Sequence, residues 1–350
     1  MKRALQISIG LALSVLFAYL AVRDIQWNKF FATLGQDREW WYLLPAALLF
    51  LSSFLVRARR WHYLLEPVQH IRTHPLFGAT MIGYMGNNVL PVRLGELLRA
   101  YALNRQTSVS KSAGLASIVV ERLVDSLGLL TFLMVAVISG ALPARYQSGM
   151  IVLSAITLVL LAAVIALTFF ETKTANTFQK IFRIFPAFLQ EKLISILRSF
   201  LRGLSGLKAT HNYGRILFLT GIIWLLFAGS TYFMLRAFNF DAIYGMDFWA
   251  GIVIFLIGTI GVMIPSSPGY VGTFHYAMIQ GLALYAVPRE PALGFAIVIH
   301  LMNYLPVTGL GLLYFMREGL RFQEVSEVQE EDLEEKSREV LEHEYREGRE

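Results

Sequence analysis

The stretch AGLASIVVERLVDSLGLLTFLMVAVISG, residues 113–140, decides the fold. At a helical rise of about 1.5 Å per residue it is long enough to cross a hydrocarbon core about 30 Å thick. Yet it carries Glu121, Arg122 and Asp125 in its first third. An ionised group at a helix centre costs about 2.5–3.5 kcal/mol even on the lenient insertion scale, so three of them call for partners or a hydrated cavity. Other apolar blocks of comparable kind lie on either side, at roughly 4–22, 41–56, 150–170, 216–236, 249–264 and 292–316. Hydrophobic residues make up 55% of the 350, charged residues 16%, and mean hydropathy is +0.52. A soluble domain carries about 25% charged residues. The chain therefore reads as an all-α polytopic membrane protein with about seven or eight transmembrane helices. With no cysteine, it has no disulfide, thiolate nucleophile or Cys-ligated metal centre.

Two of the apolar segments are interrupted. From 76 to 103 the run breaks at Asn87, Asn88 and Pro91 and turns polar at Arg93, Glu96 and Arg99. A re-entrant helix pair accounts for this better than a full crossing. In the second half, Ile264 to His275 contains Pro265, Ser266, Ser267, Pro268, Gly269, Gly272 and Thr273, and the apolar run after it, 274–286, is short for an upright span. One broken segment in each half suggests an internal repeat, and helix ends of this kind build midplane sites in secondary transporters.

Charge sets the expected orientation. Residues 317–350 carry net −7 and the preceding body net +13. Lys2 and Arg3 before the first block, and Arg57, Arg59, Arg60 and Arg72 after the second, place the N-terminus and a 57–75 loop in the cytoplasm. Residues 173–215, with eight Lys or Arg against Glu191 alone, read as an amphipathic cytoplasmic segment. The transmembrane unit is 1–320, and 321–350 is an acidic cytoplasmic tail. Trp27, Trp40, Trp41 and Trp61 are expected at interfaces. Such a body suits anionic lipid rather than nucleic acid.

Arg93, Glu96 and Arg99 are spaced so that Glu96 neighbours both arginines on one helix face, and Glu121 and Asp125 lie one turn apart. The signs allow a network around Arg122. In one reading these residues merely snorkel at an interface. In the other, Arg93, Arg99 or Arg122 meets a phosphate, for which a planar guanidinium is suited, and the carboxylates orient it. Ser266, Ser267, Gly269, Gly272 and Thr273 would add a helix start with free N–H groups, which attracts anions. His275 and His300, with Asn303 nearby, could couple binding to protons, or simply be satisfied packing residues. No phosphate-binding loop, His-Glu-x-x-His, Gly-x-Ser-x-Gly or dinucleotide fingerprint is present, so no enzyme activity, cofactor or metal is expected.

The residues Asn88-Val-Leu-Pro-Val-Arg-Leu-Gly-Glu-Leu-Leu-Arg99, Glu121-Arg-Leu-Val-Asp125 and Pro265-Ser-Ser-Pro-Gly-Tyr-Val-Gly-Thr-Phe274 occur in that order. In them the chain resembles the flippase-like transmembrane domain of lysylphosphatidylglycerol synthases and its stand-alone homologues. The resemblance implies a bacterial-type plasma-membrane protein that moves an anionic, aminoacylated or polyprenyl-linked lipid between leaflets. The soluble aminoacyltransferase domain of the two-domain enzymes has no counterpart in 1–320. Many members have Glu where this chain has His275, so a carboxylate role there does not transfer. The alternative is a subunit that anchors or presents lipid to a separate synthase or glycosyltransferase, alone or as an oligomer. A membrane-embedded transferase using Glu121 or Asp125 as base is the third reading.

Overall fold

A computed structural model describes residues 2–35, 38–90, 94–140, 152, 155–159, 162, 211–264 and 267–320. The amphipathic segment over 173–210, the acidic tail, Arg93 and Ser266 lie outside these residues. Among the described residues the regular elements are helices, with no strand: α1 (Lys2–Val22), α2 (Trp27–Leu34), α3 (Leu43–Leu65), α4 (Thr73–Val89), α5 (Gly95–Gln106), α6 (Lys111–Ile138), α7 (Tyr213–Ala237), α8 (Phe240–Tyr244), α9 (Phe248–Met263), α10 (Thr273–Ala283) and α11 (Arg289–Arg317). Three helical segments, Trp40–Leu65, Tyr213–Ala237 and Arg289–Arg317, are long and apolar enough to cross a membrane. Their exposed faces carry large apolar side chains such as Leu44, Leu48, Leu55, Phe218, Leu225, Leu301 and Leu305. In water such a surface would aggregate; against acyl chains it costs nothing. The chain is a multi-pass, all-α membrane protein.

The long helices pack in antiparallel pairs. Along α3 and α7, Ser230 donates to the Ala46 carbonyl at 2.8 Å, and Arg60 to the Thr220 hydroxyl at 2.9 Å. Along α4 and α11, Gly78 lies under the Tyr314 ring and Asn88 donates to the Thr308 hydroxyl at 2.9 Å. Ser110 caps α6, accepting from the Ala113 N–H, and Asp247 caps α9 through the Ala250 N–H.

Both interrupted segments fold as short helix hairpins. α4 and α5 span about 26 Å and 18 Å, less than a full crossing. Their close approach depends on glycine: a Cβ at Gly83 would come within 2.7 Å of Arg99 Cβ, and one at Gly86 within 2.8 Å of Gly95 Cα. α9 and α10 repeat the arrangement, with a Cβ at Gly261 falling 2.6 Å from Ala277 Cβ. The tips of the two hairpins meet. Gly269, in the left-handed region at φ 73°, lies beside the Asn88 carbonyl and the Tyr304 ring, and the Tyr304 hydroxyl reaches that same carbonyl at 3.5 Å.

Two expectations need correction. The second apolar block does not stop at 56: α3 continues to Leu65 and takes Arg57 and Arg60 inside the fold, where their side chains are 6% and 0% exposed. The positive-inside reading treated them as loop charges because their neutralising carboxylates sit on α6, far along the chain. Trp61, expected at an interface, is fully buried.

Candidate functional site

The buried charges converge from three helices. Glu121 on α6 receives Arg57 at 2.8 Å from α3, and a two-pronged contact from Arg99 on α5 at 3.1 and 2.8 Å. Arg60 lies 3.7 Å away. One turn along α6, Asp125 accepts from Arg57 at 2.7 Å and from Arg60 at 2.6 Å. The i, i+4 spacing of the carboxylates and the i, i+3 spacing of Arg57 and Arg60 place both pairs on facing helix surfaces. Trp61 closes the network from behind: its ring lies 3.8 Å from the Arg99 guanidinium, and its indole N–H donates to the Ser117 hydroxyl at 2.9 Å. Charges this deep persist only when paired and hydrogen-bonded.

Arg122 sits apart from this core. Its guanidinium is 3.0 Å from the Glu96 carboxylate and 3.6 Å from Asp125. The side chains of Arg122 and Glu96 are 39% and 38% exposed, whereas Glu121 and Arg60 are fully enclosed. The exposed pair opens onto a central cavity of about 490 Å³, which Arg57 and Asp125 also line. Aromatic side chains, among them Phe50, Phe54, Trp224, Phe227 and Phe255, form much of the remaining wall. Asn87 and Asn88 from the first hairpin and Gly269, Tyr270 and Phe274 from the second reach the same cavity, with His300, Asn303 and Tyr304 from α11. Two lining residues each bury a polar atom without a hydrogen-bond partner among the described residues, Asn303 Oδ1 and Trp224 Nε1, the latter packed over Gly128 of α6.

The residues singled out from sequence thus divide. Glu96, Arg122, Asp125, Gly269, His300 and Asn303 line the cavity. Glu121 and Arg99 lie in the buried network behind it, with Arg99 2% exposed. The expected pairing of Glu96 with Arg99 gives way to pairing across helices: Glu96 takes Arg122, and Arg99 takes Glu121. The helix start at Thr273 turns elsewhere. Thr273 is buried, a Cβ at Gly272 would overlap the Ser14 carbonyl of α1, and the Ser267 N–H donates to the Ser14 hydroxyl at 2.7 Å. These residues seat α1 against the second hairpin. The His275 ring stacks on His300, centroids 4.8 Å apart, one step back from the cavity. Sequence reasoning missed Arg57 and Arg60; their spacing continues the α3 face that ends in Trp61, which is the signal that could have found them.

Residues 7–311 match the family described as the lysylphosphatidylglycerol synthase TM region. A UPF0104 membrane protein of Methanothermobacter thermautotrophicus is 26% identical over 292 residues, covering 79% of this chain and 83% of that protein. A second UPF0104 membrane protein, from Methanocaldococcus jannaschii, is 23% identical over 65% of this chain and 92% of its own length. The glycosyltransferase AglD of Haloferax volcanii is 24% identical over 85% of this chain, but the match spans 51% of that relative. No solved structure matches.

Proposed function

The chain belongs to the lysylphosphatidylglycerol synthase transmembrane-region family, and from that premise we propose that it is a flippase-like lipid transporter whose central cavity receives a phosphate-bearing headgroup. The observation that carries this is the charge balance at the cavity wall. Among the described residues, four guanidiniums, Arg57 and Arg122 at the wall with Arg60 and Arg99 behind it, face three carboxylates, Glu96, Glu121 and Asp125. Arg122 is the guanidinium of this group that is both cavity-lining and substantially exposed, beside the equally exposed Glu96. A phosphate entering there competes with Glu96 for the Arg122 fork and gains a bidentate, charge-assisted contact. The aromatic wall suits an amphipathic ligand whose acyl chains stay in the bilayer.

In this proposal the protein sits in the plasma membrane with both termini cytoplasmic and is not itself an enzyme. Glu121, enclosed by three arginines, has no surface from which to act as a base on substrate. The similarity to a protein named a glycosyltransferase, over half of its length, favours a second reading in which the chain presents lipid to a separate transferase.

The test compares wild type with Arg122→Ala. Mass spectrometry of lipid retained through gentle purification should find an anionic lipid enriched on the wild type and lost from the variant, and proteoliposomes should lose translocation of a fluorescent anionic lipid. Equal retention and equal translocation, with both proteins folded, would overturn the proposal. Retention without translocation by the purified wild type, together with a copurifying stoichiometric enzyme, would select the second reading.

A further inference from the structure

Beyond the charged network, α3 carries His62 and then, one turn on, its C-cap residue Glu66; His70 follows in the connection to α4. Their spacing is His-x3-Glu-x3-His, from which no metal was expected. The structure brings the three together, with a ligand atom from each within 4.8 Å of the others.

His62 is buried, and its Nδ1 lies 2.6 Å from the Ile71 carbonyl oxygen. A carbonyl only accepts, so Nδ1 carries the proton and Nε2 is left with its lone pair. A fixed ring of this tautomer is what metal-binding imidazoles obtain from their outer hydrogen bonds. The His70 ring stands almost perpendicular to it, 85° with centroids 4.8 Å apart. One Glu66 carboxylate oxygen accepts from the Asn212 side-chain amide at the start of α7, leaving the second oxygen for a cation. Arg215 is engaged elsewhere, donating to Asn212 Oδ1 at 2.9 Å and stacking over Tyr63.

We propose that His62, Glu66 and His70 bind a divalent transition-metal cation of zinc type. Two imidazoles and a carboxylate are a zinc donor set with one position open to water, whereas calcium and magnesium prefer oxygen ligands throughout. Zinc–ligand bonds of about 2.0–2.1 Å set tetrahedral donors roughly 3.3 Å apart. Binding therefore draws in the exposed side chains of Glu66 and His70 toward the fixed His62. The bound ion ties the α3–α4 connection to the start of α7. None of this depends on what the central cavity binds.

The full chain, purified without a polyhistidine tag, is titrated with zinc chloride against a chromophoric chelator, and its thermal unfolding is followed with and without zinc. Wild type should bind one equivalent and gain thermal stability with the metal. Glu66→Gln and His70→Ala, both at exposed positions, should keep the metal-free unfolding temperature, bind at least about tenfold more weakly and lose the zinc-dependent gain. Equal binding by wild type and variants overturns the proposal, as does a zinc-edge absorption spectrum of the loaded wild type without imidazole ligands.

Discussion

Replacing Glu121 by Gln tests whether the buried network is structural. Glu121 faces Arg57 at 2.8 Å, Arg99 at 2.8 Å and Arg60 at 3.7 Å. Near-contact charges at an effective dielectric of about 20 attract by about 4 kcal/mol each before desolvation is counted. Most of that gain offsets the cost of enclosing the ions. Removing one partner leaves the others enclosed and uncompensated, which costs about 3–5 kcal/mol in comparable buried pairs. The substitution keeps the side-chain shape and raises the network's net charge by one, so the expected effect is a drop in apparent Tm on the order of 5–10 °C. Thermal unfolding of detergent-purified protein reads it. The double variant Glu121→Gln, Arg99→Leu restores the original charge balance, and so should lose less stability than the sum of the two single changes. An unchanged Tm for Glu121→Gln, or strictly additive losses in the double variant, would refute the idea that these charges hold α3, α5 and α6 together.

Gly95→Ala should prevent proper closure of the first hairpin. The added Cβ would overlap the Gly83 carbonyl oxygen, a backbone atom that cannot rotate away; a loss of about 1–3 kcal/mol follows, measured as lowered Tm and a smaller monodisperse fraction. Trp61→Phe removes the hydrogen bond to Ser117 and part of the stacking on Arg99. It should cost about 1–3 kcal/mol in the same assay while leaving lipid retention at the cavity unchanged.

Much of the fold was legible because its signals are local. Three spans, in Trp40–Leu65, Tyr213–Ala237 and Arg289–Arg317, were readable from apolar blocks, though the first runs beyond its block, and both hairpins from breaks inside otherwise apolar runs. The signs of the charged residues on α5 and α6 pointed to a network around Arg122, whereas the buried one centres on Glu121 and Asp125 with Arg122 at its edge. What was not legible is pairing between distant segments. Arg57 and Glu121 lie 64 positions apart, and nothing within α3 announces a carboxylate to come, so a rule tuned to loop charges assigned Arg57 and Arg60 to water. Gly272 illustrates a different difficulty. It was placed in a helix start expected to admit an anion, but the space beside it is filled by the backbone of α1. A sequence shows that close approach is permitted there without naming what approaches.

The distance along the chain between the arginines of α3 and the carboxylates of α6 also has a consequence for how the protein is made. At about 5–20 residues per second, the 64 positions from Arg57 to Glu121 take roughly 3–13 s to synthesise. During that interval α3 is already in the nascent chain, and Arg57 and Arg60 lack the α6 carboxylates they pair with in the folded protein. Their long stems allow the guanidiniums to stay at the aqueous interface, the position the charge rule assigns them. Arrival of α6 supplies Glu121 and Asp125, and the end of α3 can then move inward. A ribosome pause between α3 and α6 would lengthen the period in which Arg57 and Arg60 wait for Glu121 and Asp125.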